Sequence, residues 1–145
     1  MKKFFEWLNE NNEPLKTSKD VFVLIPQMLQ AAQKVYDEWE QDEDGHDVEL
    51  GVGGICQDIA SKIADVLSQH NIESTTVSAH IGDQHVYTVA KLADGVFEVD
   101  IPPYVYETGG GYNWKKIPNV KFQKDHISIH KLDSDPESFD NYLEY

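Results

Sequence analysis

The fold class predicted by this sequence is α+β, with helices packed on an antiparallel β-sheet. Two observations carry it. Apolar residues recur at three- and four-residue steps through residues 24–39 and 55–67, the pattern of helices with one buried face. They are followed by β-like runs whose connections are too short for a crossover helix, so neighbouring strands must run antiparallel. At 145 residues, 40% of them hydrophobic, the chain suits one domain over residues 1–145.

Taken in order, Phe4, Phe5, Trp7 and Leu8 make an apolar cluster on a short helix that Asn11-Asn12-Glu13-Pro14 ends. A second helical pattern begins at Ser18 or Asp20 and carries Val21, Leu24, Ile25, Met28, Leu29, Ala32, Val35, Tyr36 and Trp39. Pro26 has no amide hydrogen, so it marks a kink or a true start near Leu24; the helix is expected from about Pro26 to Glu40. The acidic run from Asp37 to Glu49 reads as a solvated loop. Glu40, Asp42, Asp44 and Gly45 imitate the start of an EF-hand loop, but Gly51 stands where its bidentate Glu is needed, and calcium is not expected.

Gly51, Gly53 and Gly54 lead into a third helix with Ile55, Ile59, Ala60, Ile63, Ala64, Val66 and Leu67 on one broad face, closed by His70-Asn71. Strands are expected over 74–81, 85–92 and 96–101, parted by Gly82-Asp83 and Ala93-Asp94-Gly95. The stretch from Tyr104 to Trp114 is too rich in glycine and aromatic residues for a regular helix. Further strands are expected over 119–122 and 125–132, and a short acidic helix from Asp135-Pro136-Glu137.

The formal charge of -14, from 26 acidic and 12 basic residues, opposes any groove that tracks phosphates, and so ordinary nucleic-acid or anionic-membrane binding. No apolar run approaches the ~18 residues of a membrane span. Glu6 breaks the apolar start of Met1–Asn9, which therefore does not read as an export signal. With one cysteine and no internal disulfide, a cytoplasmic location is expected. Gly109–Gly111 lacks the Lys-Ser/Thr of a phosphate loop. His126 and His130, four apart on a strand, would lie roughly 13 Å from each other, and His80 and His85 flank a turn without further ligands. Neither a metal nor a cofactor is expected.

Cys56 opens the third helix, where unpaired N–H groups and about half a positive charge favour a thiolate. A cysteine nucleophile also needs a base and a group that orients the base. His85 begins one β-run and Asp100 ends the next. Residues facing each other across an antiparallel pair sum to a constant, so His85 and Asp100 share a face if that constant is odd. A four-residue loop, Lys91 to Asp94, would set them directly opposite; a two-residue Asp94-Gly95 turn would offset Asp100 by four positions, roughly 13 Å. The competing interpretation makes Cys56 a small core hydrophobe and Asp100 a turn-starting residue.

A Gly-preceded Cys opening an amphipathic helix, a strand beginning His-Val-Tyr-Thr-Val and a strand ending Phe-Glu-Val-Asp-Ile-Pro resemble, in that order, the catalytic core of the transglutaminase-like, papain-like cysteine enzymes. The resemblance covers residues 51–103 and is closest over Asp94–Pro102. It implies a papain-like fold with Cys56 as nucleophile, His85 as general base and acid, and Asp100 as the orienting carboxylate. Leu50 stands where papain-like peptidases carry the oxyanion Gln, and Gln57 where they carry Trp. The oxyanion would then fall to the Cys56 N–H with Gln57 or Gln84.

Tyr104, Tyr106, Tyr112 and Trp114 read first as core or loop-packing residues; because their loop follows the Asp strand and could border the cleft, Tyr104, Tyr112 and Trp114 are also substrate-lining candidates. The expected activity is cysteine-dependent acyl transfer on an amide or ester, of peptidase, amidase, deamidase or transglutaminase type. Its substrate would be a protein or peptide, a basic one if the acidic surface faces the site. The other class left open is a non-enzymatic acidic binding protein, either a degenerate relative of such enzymes or a nucleic-acid mimic.

Overall fold

The computed structural model describes residues 16–41, 55–78, 85–109 and 115–143. The helices are α1 (Ser18–Val23), α2 (Ile25–Glu40) and α3 (Cys56–Gln69). The strands are β1 (Glu73–Ser78), β2 (Val86–Leu92), β3 (Gly95–Asp100), β4 (Glu107–Thr108), β5 (Lys115–Lys116) and β6 (Ser128–Asp133). Short 3-10 turns occupy Pro103–Val105, Lys124–His126 and Pro136–Asn141. The expected helix over Phe4–Leu8 and the calcium-like residues 42–51 lie outside the described residues.

Pro26 acts as a start signal. The chain breaks at Leu24, and α2 begins with the proline in its first turn, where a missing amide hydrogen leaves no helical bond unmade. Upstream, the Thr17 N–H donates to Asp20 Oδ2 at 2.8 Å, which caps α1. α2 buries Ile25, Met28, Ala32, Tyr36 and Trp39, and α3 buries Ile59, Ala60, Ile63, Val66 and Leu67.

Just past the end of α3, Asn71 takes φ 63°, with its N–H donating to Ser68 O at 3.0 Å and the Ile72 N–H to Leu67 O at 2.9 Å. This left-handed closure satisfies carbonyls that the helix end leaves open and turns the chain directly into β1. The sheet runs β1-β2-β3-β6, antiparallel throughout. Leu92 pairs with Gly95, so Ala93-Asp94 form the loop between β2 and β3. The turn is tied to the start of α1: Asp94 accepts the Ser18 N–H at 3.0 Å and the Ser18 hydroxyl at 2.6 Å, and the Ala93 N–H donates to Lys16 O at 2.9 Å. Gly95 has φ 140°, and a Cβ there would stand 2.5 Å from the Asp133 carbonyl oxygen, so only glycine fits.

Alternation along the strands gives the sheet two unlike faces. Ala90, Leu92, Phe97 and Val99 join the buried residues of α2 and α3. On the opposite face Val77, Val89 and Val96 pack against Phe139 from the last 3-10 turn. Buried Thr88 lies on the helix side and donates its hydroxyl hydrogen to Ala60 O at 2.7 Å.

Three expected elements are corrected. Residues 119–122 are not a strand: Asn119 is left-handed, with φ 59°. The Val120 N–H donates to Tyr36 Oη at 3.1 Å, the Phe122 N–H to Gln33 Oε1 at 2.7 Å, and the Asn119 N–H to the Glu40 carboxylate. Polar side chains of α2 thus take the amides that a ladder would use. The 125–132 strand begins only at Ser128, after the Lys124–His126 turn. The acidic C-terminal helix is of the 3-10 kind over Pro136–Asn141, capped by Asp135, whose side chain accepts the Glu137 N–H at 2.9 Å.

Candidate functional site

Helix and strand lengths bring three chemically capable side chains to one end of the sheet. The 14 residues of α3 span about 21 Å, and the 6 residues of β1 span about 20 Å. Because the turn between them is tight, the start of α3 returns to the level at which β1 ends. There Ser78 pairs with Val86, and Asp100 pairs with Ser128. Cys56, His85 and Asp100 therefore come together from three elements.

The register of β2 and β3 decides how the last two meet. Thr88 faces Val99 and Leu92 faces Gly95, which makes the pairing constant odd and puts His85 and Asp100 on one face. The loop is Ala93-Asp94, a register between the two considered from the sequence. Continued by one step, it sets Asp100 opposite Tyr87, diagonally next to His85, a separation that long side chains bridge. His85 Nε2 and Asp100 Oδ2 lie 2.8 Å apart. Asp100 is 6% exposed, and Tyr87 stacks beside the imidazole with ring centroids 6.1 Å apart.

Burial of the His85 ring is the largest single influence on its protonation and lowers its pKa. Hydrogen bonds with Asp100 and Cys56, and the negative charge of both, together outweigh it and raise the pKa to about 10. Nδ1 is buried and has no hydrogen-bond partner among the described residues. Nε2 is committed to Asp100, and half-buried Cys56 acts on the same ring to raise its pKa.

Two further groups belong to this end of the molecule. Glu98, half-buried and facing His130 across the sheet, has its pKa raised by burial and then by Asp100, against the pull of His130 and His85. Tyr106 is fully buried, packing edge-on against Trp39 and Phe122 at centroid separations of 5.9 and 6.4 Å. Burial, followed by the charges of Cys56, Glu107 and Asp100, pushes its pKa upward. Its Oη has no hydrogen-bond partner among the described residues. Nothing in the sequence marks Glu98 or Tyr106 as part of this site except their closeness to Asp100 along the chain.

The remaining candidates are less closely tied to this arrangement. Gln57 is exposed, and Tyr104 is 77% exposed on the Pro103–Val105 turn. Leu50, His80, Gln84, Tyr112 and Trp114 lie outside the described residues. His126 Nδ1 accepts the Gln123 N–H at 2.9 Å. Among the described residues no group of three or more His, Cys, Asp or Glu side chains could hold a metal ion, and no helix is long and apolar enough to cross a membrane. Comparisons with protein-family models, curated proteins and solved structures gave no match.

Proposed function

We propose that this chain is a cysteine-dependent acyl-transfer enzyme of papain-like architecture, with Cys56 as nucleophile, His85 as proton carrier and Asp100 as the group that orients His85. The observation that carries this proposal is the imidazole bonded through Nε2 to a buried carboxylate while Cys56 acts on the same ring. An imidazolium beside a thiol favours the thiolate, the form that attacks. Sγ adds to an amide or ester carbonyl, His85 protonates the departing amine or alcohol, and the acyl group passes to water or to an amine. A protein or peptide is the proposed substrate class, and a reducing cytoplasm suits a chain that depends on one thiol.

The test is the rate of alkylation by iodoacetamide against pH. The expected wild-type thiol reacts well below pH 7, and His85→Ala returns its profile to that of a free cysteine, with a midpoint near pH 8.5. A wild-type profile already like that of a free thiol would overturn the proposal. It would favour instead a non-enzymatic acidic binding protein, the class to which the net charge of -14 points.

A further inference from the structure

His85 lies one residue ahead of β2, which begins at Val86, and its backbone has no ladder partner among the described residues. Its placement therefore depends on side-chain contacts more than on the sheet. The bond between Nε2 and Asp100 Oδ2, at 2.8 Å, fixes one edge of the imidazole but leaves the ring able to swing about the line of that bond. A base must be held in plane as well as within reach, so a second contact is needed.

Tyr87 supplies that contact. Its ring centroid lies 6.1 Å from that of the imidazole, with 26° between the two planes, a stacked arrangement. Tyr87 itself is held by the sheet: it pairs with Val77 of β1, and the β2–β3 register continued by one step sets it opposite Asp100. Its side chain packs against the apolar cluster of Val77, Val89, Val96 and Phe139. Valine or threonine would suit the strand equally well, but neither has a planar face to offer an imidazole.

We propose that Tyr87 is a second positioning residue of the Cys56 site, fixing the plane of the His85 imidazole while Asp100 fixes its hydrogen-bonding edge. This rests on the acyl-transfer function proposed above. The face of a phenol ring carries negative potential and so favours the charged imidazolium over the neutral ring. Both effects serve one step, since the proton stays on His85 until the leaving group takes it and is presented along a fixed direction. The C-terminal 3-10 turn also enters the site indirectly, because its Phe139 backs the cluster against which Tyr87 rests.

The titration of His85 followed by NMR tests this without any acyl transfer, its ring signals being assigned by their loss in His85→Ala. The titratable and charged groups around the ring are Asp100 and Glu98 of β3 and Cys56 of α3, and changing Tyr87 removes none of them. Tyr87→Phe keeps the aromatic face and is expected to titrate and acylate like the wild type. Tyr87→Leu, which keeps apolar bulk, is expected to hold the imidazolium proton about 2- to 5-fold more weakly. Its acylation by p-nitrophenyl acetate is expected to slow about 100-fold, the scale for a misplaced reacting group. If Tyr87→Leu does not fold, Tyr87→Met, whose flexible chain fills irregular space, carries the same expectations. An unchanged His85 titration in the variant without the ring would overturn the role, as would an equal shift in Tyr87→Phe, which would assign the effect to the hydroxyl. A lower urea midpoint with unchanged titration and acylation would make the ring purely structural and also overturn it. These outcomes leave the acyl-transfer function standing, whereas a wild-type thiol inert to p-nitrophenyl acetate would overturn that function and, with it, the catalytic use of Tyr87.

Discussion

On the helix side of the sheet, Ala90, Leu92, Phe97 and Val99 belong to a continuous apolar cluster reaching through α3 to α2, and the buried hydroxyl of Thr88 is bonded to Ala60 O. On the other side, Val77, Val89, Val96 and Phe139 form a smaller cluster, with His85, Glu98 and Asp100 on the same face. The first side conceals hydrocarbon, with the Tyr106 hydroxyl inside it left without a hydrogen-bond partner among the described residues. The second keeps ionisable groups close to one another, His85 and Glu98 half-buried and Asp100 buried, where their charges act strongly. The apolar core and the ionisable groups of the sheet thus lie on opposite faces, while Cys56 comes from α3, which packs on the first.

That division can be broken most sharply at Asp100. Asp100→Asn keeps the shape but loses the charge that orients and holds the imidazolium. Acylation by p-nitrophenyl acetate is expected to fall by about 10⁴-fold, the scale for losing a triad carboxylate. The same substitution has a pH signature. His85 is raised from 6.5 to about 10 in the folded chain, so its stabilisation is complete below pH 6.5 and is lost as pH rises toward 10. Urea midpoints for the wild type should decline across that window, and the decline should be much shallower in Asp100→Asn.

On the helix side, Ile63→Ala should cost about 2–5 kcal/mol in urea unfolding through the cavity it leaves, without moving the pH profile of Cys56 alkylation. A shifted profile would show that the two faces are not independent. Thr88→Val, read by the same unfolding experiment, should cost about 1 kcal/mol for the lost bond to Ala60 O. The smallest effect is expected at Glu98. Its raised pKa means that folding disfavours the ionised form, so Glu98→Gln should raise the urea midpoint at pH 7 by about 0.5 kcal/mol in stability, the scale of an unfavourable exposed charge pair. The two chains should become equally stable below the ordinary carboxylate range, where Glu98 is protonated in both states.

Much of this arrangement was legible because periodicity and parity are local properties. The spacing from Ile59 to Leu67 identifies the buried face of α3, and the odd pairing constant puts His85 with Asp100 before any distance is known. The exact offset was not legible. Gly95 looks like half of an Asp94-Gly95 turn, yet it is held to glycine by the Asp133 carbonyl of a strand more than thirty residues later. A long-range contact thus fixes which residue can stand at the end of this loop. The same kind of cause removed the strand over 119–122, whose amides are taken by Gln33, Tyr36 and Glu40 of α2. Tyr106 was indistinguishable from neighbouring aromatics because nothing along the chain reports whether a buried hydroxyl finds a partner.

The Ala93-Asp94 loop, bound to Lys16 and Ser18, sits at the end of the hairpin remote from His85 and Asp100. Chain length there acts as a counting device for chemistry at the opposite pole. One inserted residue, absorbed by slippage of β3, would rotate Asp100 to the greasy side of the sheet; two would restore its facing but carry it about 7 Å along the strand. Tolerance to insertion at this loop should therefore alternate with odd and even lengths, even though the loop lies at the far end of the hairpin from His85 and Asp100.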